Sequence, residues 1–337
     1  MNILLTLLIL GIIILIHEMG HFLAARMFKI PVSEFAIGMG PKLVSFHGKA
    51  TDYVLRLVPM GGFVNIEGME VDKPSEHGFN SKKPWQRFVV LFAGVFMNFI
   101  LAFAIVFFSS INSGEYTIKD GATIGKIMDG TKAKEVLKEG DKILNIEGNK
   151  IETWEDLTKI LQNNRKEVIN ITVLREGKEE NKQLGLLYNK DRDMYLIGIE
   201  PLTEFRKYTF GEGVKASFTT YKMLFKSVID GFKMLIAGKV KAEEMTGPIG
   251  LVKVVSDFGK GNTAFLVWLT AMLSINVGIF NLLPFPALDG GRIIFVILEM
   301  IGIKVSKKIE EKIHLVGVLL LLLLFVLITG NDIKKLF

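Results

Sequence analysis

Long apolar runs are the main pattern along this chain. Four of them are long enough to cross a bilayer core of about 30 Å at ~1.5 Å per helical residue. The first is uncharged from Met1 to Ile16 and continues to Arg26, and the others are Phe88 to Phe108, Ala264 to Leu288 and Ile313 to Thr329. No basic residue precedes the first run and no A-x-A sequence ends it, so we predict a retained span rather than a signal peptide.

Basic residues orient these spans. Nine Lys and Arg side chains lie between the first and second spans and five between the third and fourth, whereas none precedes the first. The positive-inside rule places both loops in the cytoplasm, with the termini and the middle segment outside. The net charge of +6 therefore suits a membrane surface better than a nucleic acid.

The middle segment has the pattern of a small α+β domain. Strands, a turn and a helix are predicted at Ala122–Ile127, Gly140–Asn149, Trp154–Leu161 and Ile169–Leu174. This order resembles a PDZ domain, which adds an extended peptide to a sheet edge and grips its free carboxylate. The peptide groove is expected along Thr123, Ile124, Gly125 and Lys126. A generic α+β domain is the alternative.

A basic amphipathic helix is predicted after this domain. Seven apolar residues alternate at spacings of four and three, namely Val214, Phe218, Tyr221, Phe225, Val228, Phe232 and Leu235. Eight basic and two acidic side chains lie between Arg206 and Lys241. This favours a helix on a membrane surface, with packing on the soluble domain or a partner as an equal alternative. The expected divisions are residues 1–110, 115–200, 204–245 and 246–337.

The composition limits the chemistry. Half of the 337 residues are hydrophobic and 23% are charged, which excludes a disordered or disulfide-stapled chain. The chain has no Cys, so a metal must be held by His and carboxylate side chains.

The first span carries the sequence His17-Glu18-Met19-Gly20-His21. Residues four apart share a helix face, so both imidazoles can reach one metal ion. Glu18 can then contact a metal-bound water without being a ligand. Polar side chains inside an apolar span are expensive to bury and indicate a functional site.

A catalytic zinc site usually has a third protein ligand. The candidates inside or next to a span are Asp289, Glu299 and His314. We choose Asp289, because it ends an uncharged run whose Pro and Gly residues break the helix, and a broken helix at membrane depth must line a cavity or be buried.

These motifs together resemble the site-2 protease family (peptidase family M50), and within it the bacterial regulator-of-sigma-E type of zinc-dependent intramembrane protease. The likeness rests on the motif at residues 17–21, on Leu288–Gly290 and on the PDZ-like domain between them, and it covers essentially the whole chain. Further matches are Gly38–Pro41, Pro59–Phe63, Gly94–Asn98 and Thr246–Gly250. The best-known members carry two PDZ domains, whereas this chain has room for one.

The resemblance implies a site. One Zn²⁺ per chain is held by His17, His21 and Asp289, and Glu18 takes the proton from water. Asn276 is a candidate donor to the oxyanion. Substrate-contacting residues are expected at Asn276, Asn281, Pro284 and Pro286 and, in a membrane-reentrant β-hairpin over residues 33–66, at Gly38, Gly40, Gly61 and Gly62.

The expected fold is a polytopic α-helical membrane protein with four transmembrane helices, the reentrant hairpin and one inserted extracytoplasmic PDZ-like domain. The expected function is cleavage in or near the transmembrane segment of single-span proteins, such as anti-sigma factors or remnant signal peptides, after an upstream site-1 type protease. The expected location is the bacterial cytoplasmic (inner) membrane, with the active site toward the cytoplasm, lipid as a partner and no nucleic acid. A catalytically silent PDZ-bearing scaffold and a zinc carrier are the alternatives.

Overall fold

The chain folds into two units in this computed structural model, which describes residues 2–69, 75–189, 194–240, 246–303 and 305–335. The first unit combines Met1–Ile111 with Glu212–Phe337, and the second is Asn112–Gly211. The helices are α1 (Asn2–Met27), α2 (Pro84–Ile111), α3 (Ala133–Val136), α4 (Trp154–Asn163), α5 (Phe210–Ile236), α6 (Pro248–Phe258), α7 (Thr263–Leu282), α8 (Asp289–Met300) and α9 (Lys307–Lys334).

The strands are mostly short. They are β1 (Val32–His47), β2 (Asp52–Ile66), β3 (Gly114–Ile118), β4 (Ile124–Ile127), β5 (Lys142–Ile146), β6 (Asn149–Lys150), β7 (Val168–Arg175), β8 (Lys178–Gly185), β9 (Leu187–Asn189), β10 (Met194–Leu196), β11 (Ile199–Pro201) and β12 (Thr203–Lys207). Among the described residues, the strands of the first unit are β1 and β2.

Four helices of the first unit, α1, α2, α7 and α9, are long and apolar enough to cross a membrane. The four predicted spans are therefore confirmed as helices. The third ends at Leu282 rather than at Leu288, because Pro284 and Pro286 cannot continue a helix. The fourth starts earlier than predicted, at Lys307, and extends to Lys334.

The segment predicted as a hairpin pairs more extensively than a simple two-stranded hairpin, because parts of one strand pair with two segments of the other. Phe35 in the first half of β1 lies opposite both Tyr53 and Val64 of β2, while Phe46 in its second half also lies opposite Tyr53. The two strands bend where Gly38 and Gly61 have positive φ angles of 85° and 77°. Each strand is thus divided into two segments. Residues 62–66, the last segment of β2, pair with residues 32–37 and form an edge of the sheet.

The apolar stripe predicted for α5 packs against other helices. Val228 of the stripe is buried in a cluster with Ala102 of α2 and Ile275 of α7, and Tyr221 and Phe225 of the stripe pack against that cluster. Helices α2 and α7 therefore cover the middle of the stripe. Phe218 remains exposed, and contact of α5 with a membrane surface stays a prediction; Lys241, at the end of the basic run, lies outside the described residues.

The second unit contains a four-stranded sheet in the order β6-β5-β7-β8 over an apolar core. The predicted strands and helix at β4, β5, β7 and α4 are confirmed. Asp141, in the turn before β5, is buried and accepts hydrogen bonds from Arg175 and from the Lys138 N–H. Burial favours a higher pKa for Asp141, but these bonds outweigh it and hold the pKa below its usual range.

The chain itself pairs with β4, the strand along which the peptide groove is predicted. The Ile124 N–H donates to the Asp141 carbonyl and the Ile124 carbonyl accepts from the Gly140 N–H, both at 2.8 Å. On the other side, the Thr123 carbonyl accepts from the Leu202 N–H. Gly125 and Lys126 face β11, where Lys126 lies opposite Glu200. These backbone groups are therefore not a free edge for a peptide.

Candidate active site

Two imidazoles meet on one face of α1. His17 and His21 lie one turn apart and are buried, and their Nε2 atoms are 3.2 Å apart. The Nδ1 atom of His21 lies 2.8 Å from the Val90 carbonyl oxygen. Because a carbonyl only accepts, His21 carries its proton on Nδ1, and its Nε2 has a free lone pair when the ring is neutral.

Asp289 completes the group from the first turn of α8. Its Oδ2 lies 3.0 Å from His17 Nε2 and 3.3 Å from His21 Nε2. After α7 ends, the Phe285 N–H donates to the Leu283 carbonyl and the chain turns into α8. Gly290 leaves no room for a side chain against the Leu282 and Leu283 carbonyl groups, which explains the glycine after Asp289.

The other two ligand candidates have different partners. Glu299 forms an ion pair with Arg87, at the start of α2. His314 lies 3.4 Å from Arg292. Within the described residues, His17, His21 and Asp289 converge closely enough to hold one metal ion.

The geometry of this triad fits zinc. Tetrahedral zinc with bonds of about 2.0–2.2 Å holds its donors roughly 3.3 Å apart, and the three donor atoms here are separated by 3.0, 3.2 and 3.3 Å. Asp289 Oδ2 is buried and accepts no hydrogen bond within the described chain. A buried carboxylate oxygen that faces two imidazole nitrogens at these distances offers zinc the donor atoms it prefers, and a cation there would neutralise the carboxylate.

Glu18 is held beside the triad by the sheet edge. Its Oε2 accepts a hydrogen bond of 3.1 Å from the Val64 N–H of β2. A Cβ at Gly62, two residues earlier on the same edge, would lie 3.9 Å from Glu18 Cγ. The edge of the sheet is therefore next to the carboxylate.

Two residues of α2 contact the imidazoles. A Cβ at Gly94 would overlap the His21 ring and would lie 2.9 Å from His17 Cε1. The amide nitrogen of buried Asn98 lies 3.3 Å from His17 Nδ1. The sequence showed Gly94–Asn98 only as a family match, and the available signal was an uncharged polar residue in an apolar span, four residues after a glycine.

The remaining predicted site residues are more dispersed. Asn276 is half-buried on α7, whereas the Asn281 amide donates to the Val277 carbonyl of its own helix at 3.0 Å. Pro284 is exposed, and Pro286 packs against Gly317 of α9. The Asn281 side chain is thus hydrogen-bonded within α7 and not to the triad.

The hairpin glycines serve the bends of the sheet. Gly38, Gly40 and Gly61 have positive φ angles, which favour glycine. Gly62 approaches the Ala36 carbonyl too closely for a side chain. Their contact with substrate stays a prediction.

The sequence profile of "Peptidase family M50" matches residues 5–324, a range that includes the whole triad. The chain belongs to peptidase family M50. A Fusobacterium nucleatum protein named "Putative zinc metalloprotease FN1322" is 45% identical to this M50 peptidase over 100% of both chains. A Clostridium acetobutylicum protein with the same form of name is 35% identical over 98% of this chain and 97% of its own.

These findings establish that this M50 peptidase is a zinc metalloprotease of the site-2 type, that Zn²⁺ is its cofactor and that it is an integral membrane protein. A crystal structure of the PDZ domain of an SdrC-like protein from Listeria monocytogenes is 23% identical to part of the chain. That match covers 26% of this chain and 92% of the other, with a TM-score of 0.23.

Proposed function

We propose that this M50 peptidase hydrolyses a peptide bond inside the membrane-spanning segment of single-span proteins, with anti-sigma factors and remnant signal peptides as substrate types. The observation that carries the proposal is the position of the triad. His17 and His21 lie nine and five residues before Arg26, on a helix long and apolar enough to span. They are therefore about 8–14 Å from Arg26 along the helix axis.

The residues around the triad support a hydrolytic mechanism. When bound, zinc lowers the pKa of water and polarises the scissile carbonyl group. Glu18 accepts the proton of the attacking water and gives it to the amide nitrogen as the C–N bond breaks. The oxygen of water remains in the new carboxylate, and the leaving amine takes the proton. The Val64 N–H holds the Glu18 carboxylate in place for both transfers.

The sheet edge suits an unwound substrate. Helical amides are already hydrogen-bonded, so a transmembrane substrate must become extended before attack. Residues 62–66 form an edge that could pair with such a strand. The second half of β1 and the first half of β2 expose apolar side chains, including Leu43, Phe46 and Leu55. This exposure supports a reentrant position in lipid.

The orientation belongs to the same proposal. The basic loops support a triad on the cytoplasmic side of the inner membrane and a PDZ-like unit outside. An upstream site-1 type protease would first trim the substrate. The outer unit would then exclude untrimmed proteins by size or hold a newly exposed carboxyl end.

Cleavage by the purified protein in liposomes tests this function. A single-span peptide labelled at both ends should be cut in the cytoplasmic half of its span by the zinc-loaded protein. Glu18→Gln should retain stoichiometric zinc and lose turnover, whereas Glu311→Gln, at an exposed position of α9, should behave as wild type. Cleavage by Glu18→Gln within about tenfold of wild type would refute the role of Glu18 as the base.

The same assay separates the alternatives. A silent scaffold would bind zinc and cleave nothing. A carrier would move zinc into the liposome lumen without cutting the peptide, which a zinc indicator inside the liposomes would report.

A further inference from the structure

Asn98 is a fully buried amide in the middle of an apolar helix. Its side chain has no exposed surface, and a buried amide without hydrogen bonds is costly. Its backbone carbonyl accepts a 2.8 Å hydrogen bond from the Ser274 hydroxyl group. Its amide nitrogen lies 3.3 Å from His17 Nδ1, and its Oδ1 is buried without a partner in the described chain. The polar contact of the Asn98 side chain in the described chain is therefore with His17.

His17 can hold a metal through Nε2 only in one tautomer. Its Nε2 faces Asp289 Oδ2 and His21 Nε2 at 3.0 and 3.2 Å, so Nε2 is the donor atom of the triad. A neutral imidazole has one proton, which must then be on Nδ1. That Nδ1–H needs an acceptor, as the second nitrogen of a metal-binding histidine usually has one.

The two histidines obtain this acceptor differently. His21 faces the Val90 carbonyl, which only accepts and so fixes the ring in the metal-binding tautomer. His17 faces an amide, which presents either oxygen or nitrogen after a half-turn of its last side-chain bond. With nitrogen toward Nδ1, Asn98 would donate and the His17 proton would be on Nε2. With oxygen toward Nδ1, Asn98 accepts and Nε2 is free to bind.

We propose that Asn98 is a positioning residue for zinc, which directs its amide oxygen to His17 and fixes the tautomer of that ring by accepting its Nδ1–H when the metal is held. The inference rests on the zinc site of the proposed function. It concerns metal affinity, however, and does not depend on which bond the protein cleaves.

Two substitutions separate hydrogen bonding from packing. Asn98→Leu keeps a similar volume but has no acceptor, and the loss of such a partner typically weakens metal binding about 10- to 100-fold. Asn98→Asp keeps the acceptor and, when ionised, cannot donate, so it favours the metal-binding tautomer, and its zinc affinity should equal or exceed that of wild type. Ser274→Ala is the matched control, because it removes a buried hydrogen bond to the same residue without contacting His17.

The experiment measures zinc dissociation constants of full-length variants in detergent by competition with a chromogenic chelator, together with the visible spectrum of the Co²⁺-loaded forms. We expect weaker zinc binding and an altered Co²⁺ spectrum for Asn98→Leu alone. Wild-type affinity in folded Asn98→Leu would overturn the inference. If Asn98→Leu does not fold, affinity of Asn98→Asp more than about tenfold below wild type would overturn it.

The outcome is independent of proteolysis. If no peptide is cleaved but the affinities follow the expected order, the proposed substrate class fails and the role of Asn98 stands. If peptides are cleaved and Asn98→Asp and Asn98→Leu lose zinc equally, the role of Asn98 fails and the proposed function stands. A wild-type protein that binds no zinc would overturn both.

Discussion

Replacing Gly94 with Ala should disturb the zinc site directly. The new methyl group would overlap the His21 ring and lie 2.9 Å from His17 Cε1. Because carbon atoms pack at about 3.5–4.0 Å, the His17 ring must withdraw by at least ~0.6 Å or the helices must separate. Separation of the helices would disrupt close packing, since the backbones of α1 and α2 approach so closely here that a side chain at Gly20 would collide with the Ala93 carbonyl group.

This displacement is large for a metal site. Ligand distances in such sites are held to about ±0.2 Å, so a 0.6 Å shift should weaken zinc binding at least about tenfold. Overpacking a well-packed interior costs roughly 1–3 kcal/mol of folding free energy. A misplacement approaching 1 Å lowers turnover by about 100-fold even in molecules that retain zinc.

The assay compares zinc dissociation constants, thermal unfolding and peptide cleavage for Gly94→Ala and Gly330→Ala. Gly330 is the control, because it also lies in an apolar helix but a Cβ there would meet no neighbouring atom of the described chain within 4 Å. Gly330→Ala should bind zinc as wild type and gain at most about 1 kcal/mol from helix propensity. Wild-type zinc affinity and cleavage in Gly94→Ala would refute the packing argument.

Three other predictions concern the ligand set, the orientation and the outer unit. Asp289→Ala should lose zinc while Glu299→Ala keeps it, since Glu299 pairs with Arg87; metal analysis showing the reverse would contradict the assignment. Because the chain has no Cys, Lys83→Cys should resist an impermeant thiol reagent on intact cells and Lys178→Cys should react; the opposite labelling would invert the topology. The lowered pKa of Asp141 means that its stabilising contribution is present above the unfolded value near 3.9 and is lost as pH falls through the native value. Asp141→Asn should therefore cost about 1–3 kcal/mol at neutral pH and flatten the acid dependence of hydrogen exchange in β7; an unchanged acid dependence would contradict this.

The local sequence determined the elements that rest on near neighbours. Uncharged runs defined the four spanning helices, since hydrophobic length is a local property. Residues 17–21 placed two imidazoles and a carboxylate on one helix, because their spacing follows from 3.6 residues per turn. The turn, strand and helix order of the middle unit was also predictable from local patterns.

The tertiary structure decided what these elements contact. Asp289 joins the histidines across more than 260 residues of chain, and Glu299 is directed instead to Arg87. The free edge predicted along β4 is used by the turn at Gly140 and Asp141, a pairing that strand propensity does not specify. The stripe of α5 has the same pattern whether lipid or protein covers it, and only the packing shows that α2 and α7 do.

Asn98 shows this division most clearly. The sequence marks a polar residue in an apolar span, but the hydrogen-bonding role of an amide depends on the group opposite. That group is the Nδ1 atom of His17, 81 residues away in the chain. Local spacing determined which side chains share a helix face, whereas the approach of α2 to α1 determined which group lies opposite Nδ1 of His17, because a contact between helices exists only after they pack.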